Sequence, residues 1–219
     1  MNVFDIIGPV MIGPSSSHTA GAVRIGRIAG ALLDGKPVSA HILLHGSFAK
    51  TYRGHGTDKA LVAGIMGMSP SDARIRESLA LAKERNLSVV FEKGEIEGAH
   101  PNTAVITLTD EQGHTATLQG ASVGGGNIVI SEINGMKVDV TGQQTTLLIL
   151  HRDVPGVIAH VTNYIASQGV NIGNFKLTRG HKGETALMTI EVDGEFSRES
   201  NAGIEKLPNV LRSTMLRPD

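Results

Sequence analysis

From Leu87 onward the apolar residues of this 219-residue chain change their period, and no other feature constrains the fold as much. Before that point small and aliphatic side chains recur at helical spacing. After it they alternate, which puts every second side chain on a buried sheet face. Residues 19–33 carry Ala22, Ile25, Gly26, Ala29 and Leu33 on one stripe, with Arg24 and Arg27 set apart. The stripe predicts a helix whose Gly/Ala face lets another element pack closely, closed by Gly35 and Pro37. A strand is expected at 39–44, a helix over 58–66 with Thr57 or Asp58 as N-cap, and a third helix over 71–85 after Pro70. Then LSVVFEK, TAVITLT, TATLQG, NIVISEI and MKVDV read as short strands, with Asn134-Gly135 a hairpin signal. Helices followed by a mostly antiparallel sheet make this part α+β.

The polar stretch TGQQ at 141–144 is a joint, and beyond it the order restarts. Strand TTLLILH, a helix over 156–168, strand VNIGNFKL, the turn RGHKGE, strand TALMTIEV, a helix over 199–206 and strand NVLRSTML follow. That is β-α-β-β-α-β, a ferredoxin-like unit. The expected domains are therefore residues 1–143, an α+β domain, and 144–219.

Composition narrows the function classes. With 20 Lys+Arg against 21 Asp+Glu, the formal charge of −1 leaves no footprint for nucleic acid or an acidic membrane. The chain has no Cys, which excludes disulfides, thiolate nucleophiles and any iron–sulfur cluster held by this chain alone. Its apolar runs, such as residues 147–150, fall far short of the roughly 20 needed to span a bilayer. MNVFDIIGPV lacks a basic n-region, so a soluble cytoplasmic protein is expected. Glycine is abundant at 27 residues while aromatics supply only 3%. Such a chain favours tight turns and close backbone approach over platforms for stacking bases.

Four segments of the first domain carry chemistry. GPSSSHTAG, residues 13–21, sets three serines ahead of a helix, where hydroxyls and free N–H groups bind a small anion or simply cap the helix. His18 sits in the first turn, where the dipole opposes a positive imidazole. GHGTDK, residues 54–59, uncovers His55 between two glycines, either as a general base or as an exposed loop histidine. His45 lies in a strand–loop segment and either shares that pocket or occupies a strand face. AHPNT, residues 99–103, fixes a turn at Pro101 from which His100 and Asn102 point the same way, or which leaves a solvated histidine. GASVGGGN, residues 120–127, fails both nucleotide-loop patterns, because Gly126 stands where a Walker loop needs Lys and no GxGxxG fits. It reads as a turn or a strand edge. The spacing of His18, His55 and His100 matches no compact metal-ligand pattern, and no HExxH is present. In the second domain HRDVPGVI with GVNI offers Asp153, Pro155, Gly156, Val157 and Asn171 either as a small structural unit or as a pocket for an amino-acid carboxylate and ammonium.

GPSSSHTAG, GHGTDKA, HPNTA and GGGNI, in this order and spacing, resemble the beta-chain family of bacterial iron–sulfur-dependent L-serine dehydratases (L-serine ammonia-lyases). HRDVPGVIAHVTNYIASQGVNI is similar to an ACT domain, a regulatory module that binds amino acids at a dimer interface. The resemblance implies conversion of L-serine to pyruvate and ammonia, with a [4Fe–4S] cluster ligated by cysteines of a separate alpha chain and no metal ligand here. It implies that Ser15, Ser16, Ser17 and Thr19 bind substrate and that His18, His55, His100 and Asn102 belong to the catalytic set, with His55 the expected base. It implies an alpha-chain partner and a homo-oligomer formed through the ACT unit, with Asp153, Pro155, Gly156, Val157 and Asn171 as its effector residues. The rival expectation is a non-catalytic, amino-acid-binding regulatory subunit.

Overall fold

The computed structural model describes residues 15–180 and 183–218. Gly13 and Pro14 of the serine motif, and His181 and Lys182 of the RGHKGE turn, lie outside the described residues. Two compact units divide between Asn134 and Gly135.

The first unit opens with a π-helical turn, Ser16–Gly21, that runs into helix α1, Ala22–Ala31. Strand β1 (Pro37–Leu44), helices α2 (Gly46–His55) and α3 (Thr57–Ile65), a 3₁₀ segment (Ala73–Glu77) and helix α4 (Ser78–Glu84) follow. Strands β2 (Ser88–Lys93), β3 (Thr103–Asp110), β4 (Thr115–Gly124) and β5 (Asn127–Ile133) complete it. The sheet order is β2-β1-β3-β4-β5, parallel only between β1 and β2. One face is apolar: Ala40, Ile42, Leu44, Ala104, Ile106, Leu108, Leu118, Ile128 and Ile130 are buried on it. At Gly120 a Cβ would stand 3.2 Å from Ile25, so the missing side chain makes room for α1.

The expected Gly/Ala face of α1 is present and meets α3. A Cβ on Gly26 would overlap the Leu61 carbonyl oxygen, and one on Gly64 would overlap that of Val23. These obstacles are backbone atoms, so the two helices cross at a separation only glycine allows.

Four local expectations need correction. The helical hydrogen bonding begins at Ser16, with a π turn, before the predicted start at residue 19. Residues 46–55, expected as a strand–loop segment, are helical. The Pro101 carbonyl caps the start of α2, accepting from Ser47 N at 2.7 Å and Phe48 N at 3.3 Å. Helix α3 starts at Thr57 with neither Thr57 nor Asp58 as side-chain cap. Gly56, at φ 72°, ends α2 and opens α3, and Asp58 Oδ1 accepts from Lys59 N at 2.8 Å. The expected helix over 71–85 begins as a 3₁₀ segment, because Asp72 caps Arg74 N at 2.9 Å and the α-helix forms only from Ser78.

The second unit contains β6 (Met136–Val140), β7 (Thr145–Arg152), α5 (Val157–Ser167), β8 (Ile172–Arg179), β9 (Thr185–Val192), α6 (Arg198–Glu205) and β10 (Val210–Leu216). Thr178 Oγ1 of β8 donates to the Lys137 carbonyl of β6 at 2.7 Å. From β7 on the order is β10-β7-β9-β8, antiparallel throughout, as a ferredoxin-like βαββαβ unit requires. Leu147, Ile149, Met188 and Ile190 on the sheet pack with Val157, Val161 and Ile165 of α5 and Ile204 of α6. No helix among the described residues is long and apolar enough to cross a membrane.

Candidate active site

Ser15 caps the π turn: its hydroxyl accepts from His18 N at 3.2 Å and lies 3.3 Å from His18 Nδ1. The other ring nitrogen, Nε2, lies 3.3 Å from the hydroxyl of Ser47, in the first turn of α2. Phe48, fully buried beside Ser47, meets the His18 ring edge-on with centroids 5.3 Å apart. Two serines and one phenylalanine therefore fix the imidazole from three sides.

At the other end of α2, His55 stands with its ring centroid 4.7 Å from that of His18. His55 is exposed and makes no hydrogen bond to a described residue. Residues 37 apart in sequence thus become neighbours because α2 folds back toward the π turn. Glycines on both sides leave the ring uncovered: a Cβ at Gly54 or Gly56 would meet nothing within 4 Å.

Burial first, and then the neighbouring His55, hold the His18 pKa below its ordinary 6.5. A proton on His55 therefore disfavours one on His18. Because the folded chain holds the His18 proton less tightly than the unfolded chain, stability is full above pH 6.5 and is lost as pH falls from there toward the folded value. His18→Gln is expected to flatten the decline of Tm as pH falls below 6.5. An unchanged slope would assign the decline to another group.

The remaining sequence candidates fall into two sets. Ser16 and Ser17 open the π turn, half-buried, and Thr19 is buried in it with Oγ1 unpartnered among the described residues. Asn102 joins the buried side of its turn, donating from Nδ2 to the Ser122 carbonyl at 3.4 Å, while its Oδ1 has no partner among the described residues. His100 does not accompany it. The His100 ring is exposed and folds onto its own loop, Nδ1 accepting from Asn102 N at 3.1 Å, so the expected common direction of the two side chains is not found. His45 precedes α2, with Nδ1 accepting from Ile96 N at 3.1 Å.

Sequence reasoning misses two members of this neighbourhood. Ser47 lies in HGSFAK, where its only signal is a Gly-Ser pair after a strand. Ser122 lies inside GASVGGG, a buried serine whose Oγ has no partner among the described residues. Each unpartnered buried polar atom costs about 1–3 kcal/mol, so a cluster of them marks a place shaped for something other than stability. The glycine run itself is a hairpin turn: Gly124, Gly125 and Gly126 all have positive φ, and Arg24 donates to the Gly126 carbonyl at 3.0 Å.

In the second unit Asp153 does not cap α5. Gly156, at φ 92°, precedes the helix, and Asp153 Oδ2 instead accepts from Gly183 N and Arg179 Nε, each at 3.2 Å. Pro155 and Gly156 are exposed, Val157 is buried against the sheet, and Asn171 donates to Asp193 Oδ2 at 2.7 Å.

The chain's own side chains do not fit an iron–sulfur cluster. It has no cysteine, and among the described residues no three His, Asp or Glu side chains gather as metal ligands.

A family model described as serine dehydratase beta chain matches residues 2–86, and an ACT domain like that of the AHAS small subunit matches residues 147–212. A probable L-serine dehydratase beta chain of Bacillus subtilis (strain 168) is 43% identical over 98% of this chain and 97% of its own length. The L-serine dehydratase beta chain of Peptoniphilus asaccharolyticus is 35% identical over 93% of this chain and 92% of its own. A D-3-phosphoglycerate dehydrogenase of Synechocystis is 25% identical over 78% of this chain but only 31% of its own length. Near-complete coverage in both directions at these identities, on top of a matching N-terminal unit and an ACT-like C-terminal one, means that this chain belongs to the L-serine dehydratase beta-chain family.

Proposed function

We propose that this chain is the beta subunit of a two-chain L-serine dehydratase, and that it supplies the base and the substrate-binding groups of an active site completed by an alpha chain. The observation that carries this reading is the His18–His55 pair at the serine-rich π turn, in a chain with no cysteine. Turning serine into pyruvate and ammonia requires removal of a weakly acidic α-proton and departure of hydroxide. The leaving-group chemistry belongs to the [4Fe–4S] cluster, which the alpha chain holds.

What this chain does is bind, orient and take a proton. The serine run and the leading N–H groups of the π turn hold the substrate carboxylate. His55 removes the α-proton. Its place as the last residue of α2 suits that role, because the carbonyls at a helix C-terminus favour the positive charge it acquires. His18, kept neutral by burial and fixed by Ser15 and Ser47, holds the neighbouring wall and disfavours a second positive charge.

The ACT-like unit binds an amino-acid effector near Asp153, Pro155, Gly156, Val157 and Asn171 and pairs with a second copy of the chain. Supporting the pairing, β8 is an edge strand with little burial and an exposed Phe175. The likeness to a D-3-phosphoglycerate dehydrogenase favours one second reading, a non-catalytic amino-acid-binding regulatory subunit.

An anaerobic serine-to-pyruvate assay separates the two. It compares this chain, the cysteine-bearing alpha chain, and the mixture after iron–sulfur reconstitution. Turnover is expected in the mixture alone. Serine binding by this chain with no turnover in the mixture would establish the regulatory reading instead.

A further inference from the structure

Ser122 lies on the core face of β4, in line with Ala116, Leu118 and Gly120, and is fully buried. Its hydroxyl has no partner among the described residues. Alanine would fill the same space without stranding an oxygen, so stability does not account for the hydroxyl.

Its neighbours are those of the site. A Cβ on Gly21, the last residue of the π turn, would overlap Ser122 Oγ, so the serine is seated against that turn. Ser122 N donates to the Asn102 carbonyl at 3.0 Å, and Asn102 Nδ2 donates back to the Ser122 carbonyl at 3.4 Å. This exchange fixes the amide orientation and leaves Asn102 Oδ1 as an acceptor with nothing to accept. Thr19, on the same turn as Gly21, is 2% exposed and its Oγ1 is also unpartnered.

Three buried oxygens without partners among the described residues thus belong to the π turn, to the serine seated against it, and to the asparagine bonded to that serine. Asn102 Oδ1 can only accept, both hydroxyls can accept, and none of the three carries a positive charge. A group with several N–H donors, such as an ammonium, satisfies oxygens of this kind.

We propose that Ser122 is a further substrate-binding residue, its hydroxyl joining Asn102 Oδ1 and Thr19 Oγ1 to receive the ammonium group of the amino-acid substrate. This rests on the dehydratase reading above and adds the group that distinguishes an amino acid from a hydroxy acid. Among the described residues the three oxygens are closed off from solvent, so binding there requires a local opening of the chain.

The test uses the reconstituted two-chain mixture, with Ser122→Ala, Thr19→Val and, as control, Ser131→Ala. Ser131 is on the neighbouring strand β5 and its hydroxyl is already bonded to Gln119. Ser122→Ala is expected to keep or raise Tm while the KM for serine rises about 10- to 100-fold, the effect of losing a hydrogen bond to a charged group. Thr19→Val should act in the same direction, and Ser131→Ala should leave turnover unchanged. L-alanine and propionate, as inhibitors of serine turnover, report the ammonium directly: the preference for L-alanine should collapse in Ser122→Ala. An unchanged KM, or a preserved preference, overturns this inference while wild-type turnover keeps the dehydratase reading intact. No turnover by the wild-type mixture overturns both.

Discussion

His55→Ala is expected to lower kcat of the reconstituted mixture by about 10²- to 10⁴-fold, the usual contribution of a positioned general base. KM for serine should change little, because the groups assigned to the substrate carboxylate lie on the π turn and not on the end of α2. The geometry separates His55 from the other imidazoles. His18 has serine hydroxyls 3.3 Å from both ring nitrogens, and His100 accepts from its own loop, while His55 is exposed with no hydrogen bond to a described residue. A base needs an uncommitted nitrogen facing the proton it takes, and His55 alone of the three offers one. His55→Gln should be as poor as His55→Ala, since glutamine keeps the polarity but not the proton affinity. His18→Gln, by contrast, should lose less, because it leaves the His55 nitrogens in place. Near-normal kcat in His55→Ala would remove it as the base and turn attention to His100.

The second unit was readable almost strand for strand. In TTLLILH and TALMTIEV, Leu147, Ile149, Met188 and Ile190 fall on one buried face, and Pro155-Gly156 marks the start of α5. Local pattern and global fold agree there, so nothing beyond the sequence was needed. Helix α2 shows the opposite case. Gly46–His55 has glycines at both ends, aromatic and polar residues within, and no side-chain cap. It is held by the Pro101 carbonyl, more than 40 residues away, and by burial of Phe48. That tertiary capping also places Ser47 against His18, which is why Ser47 escaped notice. The Ser15–His18 contact spans three residues and could be read from GPSSSHT, whereas the approach of His55 to His18 depends on how α2 turns back. The π turn leaves no trace in composition, because a hydrogen bond shifted by one residue needs no particular side chain. Ser122 was visible only as part of a glycine-rich turn, and its interest comes from what its hydroxyl lacks.

Gly26→Ala is expected to destabilise the chain by about 1–3 kcal/mol, lowering Tm by about 3–9 °C, although Ala is the better helix former. The added methyl overlaps the Leu61 carbonyl oxygen and stands 3.0 Å from Ile65 N, and neither can rotate away. The reciprocal change, Gly64→Ala, meets Val23 and stands 2.8 Å from Arg27 N, so it should cost a similar amount. The two sites share one helix crossing, and the double variant should cost less than the sum, because helices parted for one methyl already have room for the other. Gly54→Ala is the matched comparison. It lies in α2 with nothing within 4 Å of a new Cβ, so it should stabilise by about 0.5–1 kcal/mol through helix propensity alone. Urea unfolding followed by circular dichroism reads all four. Opposite signs for the same chemical change would show that the α1–α3 crossing, not glycine's backbone freedom, is what positions 26 and 64 require. A gain in stability at Gly26→Ala would mean that the two helices are free to separate, and that the π turn at the head of α1 is not held in place from below.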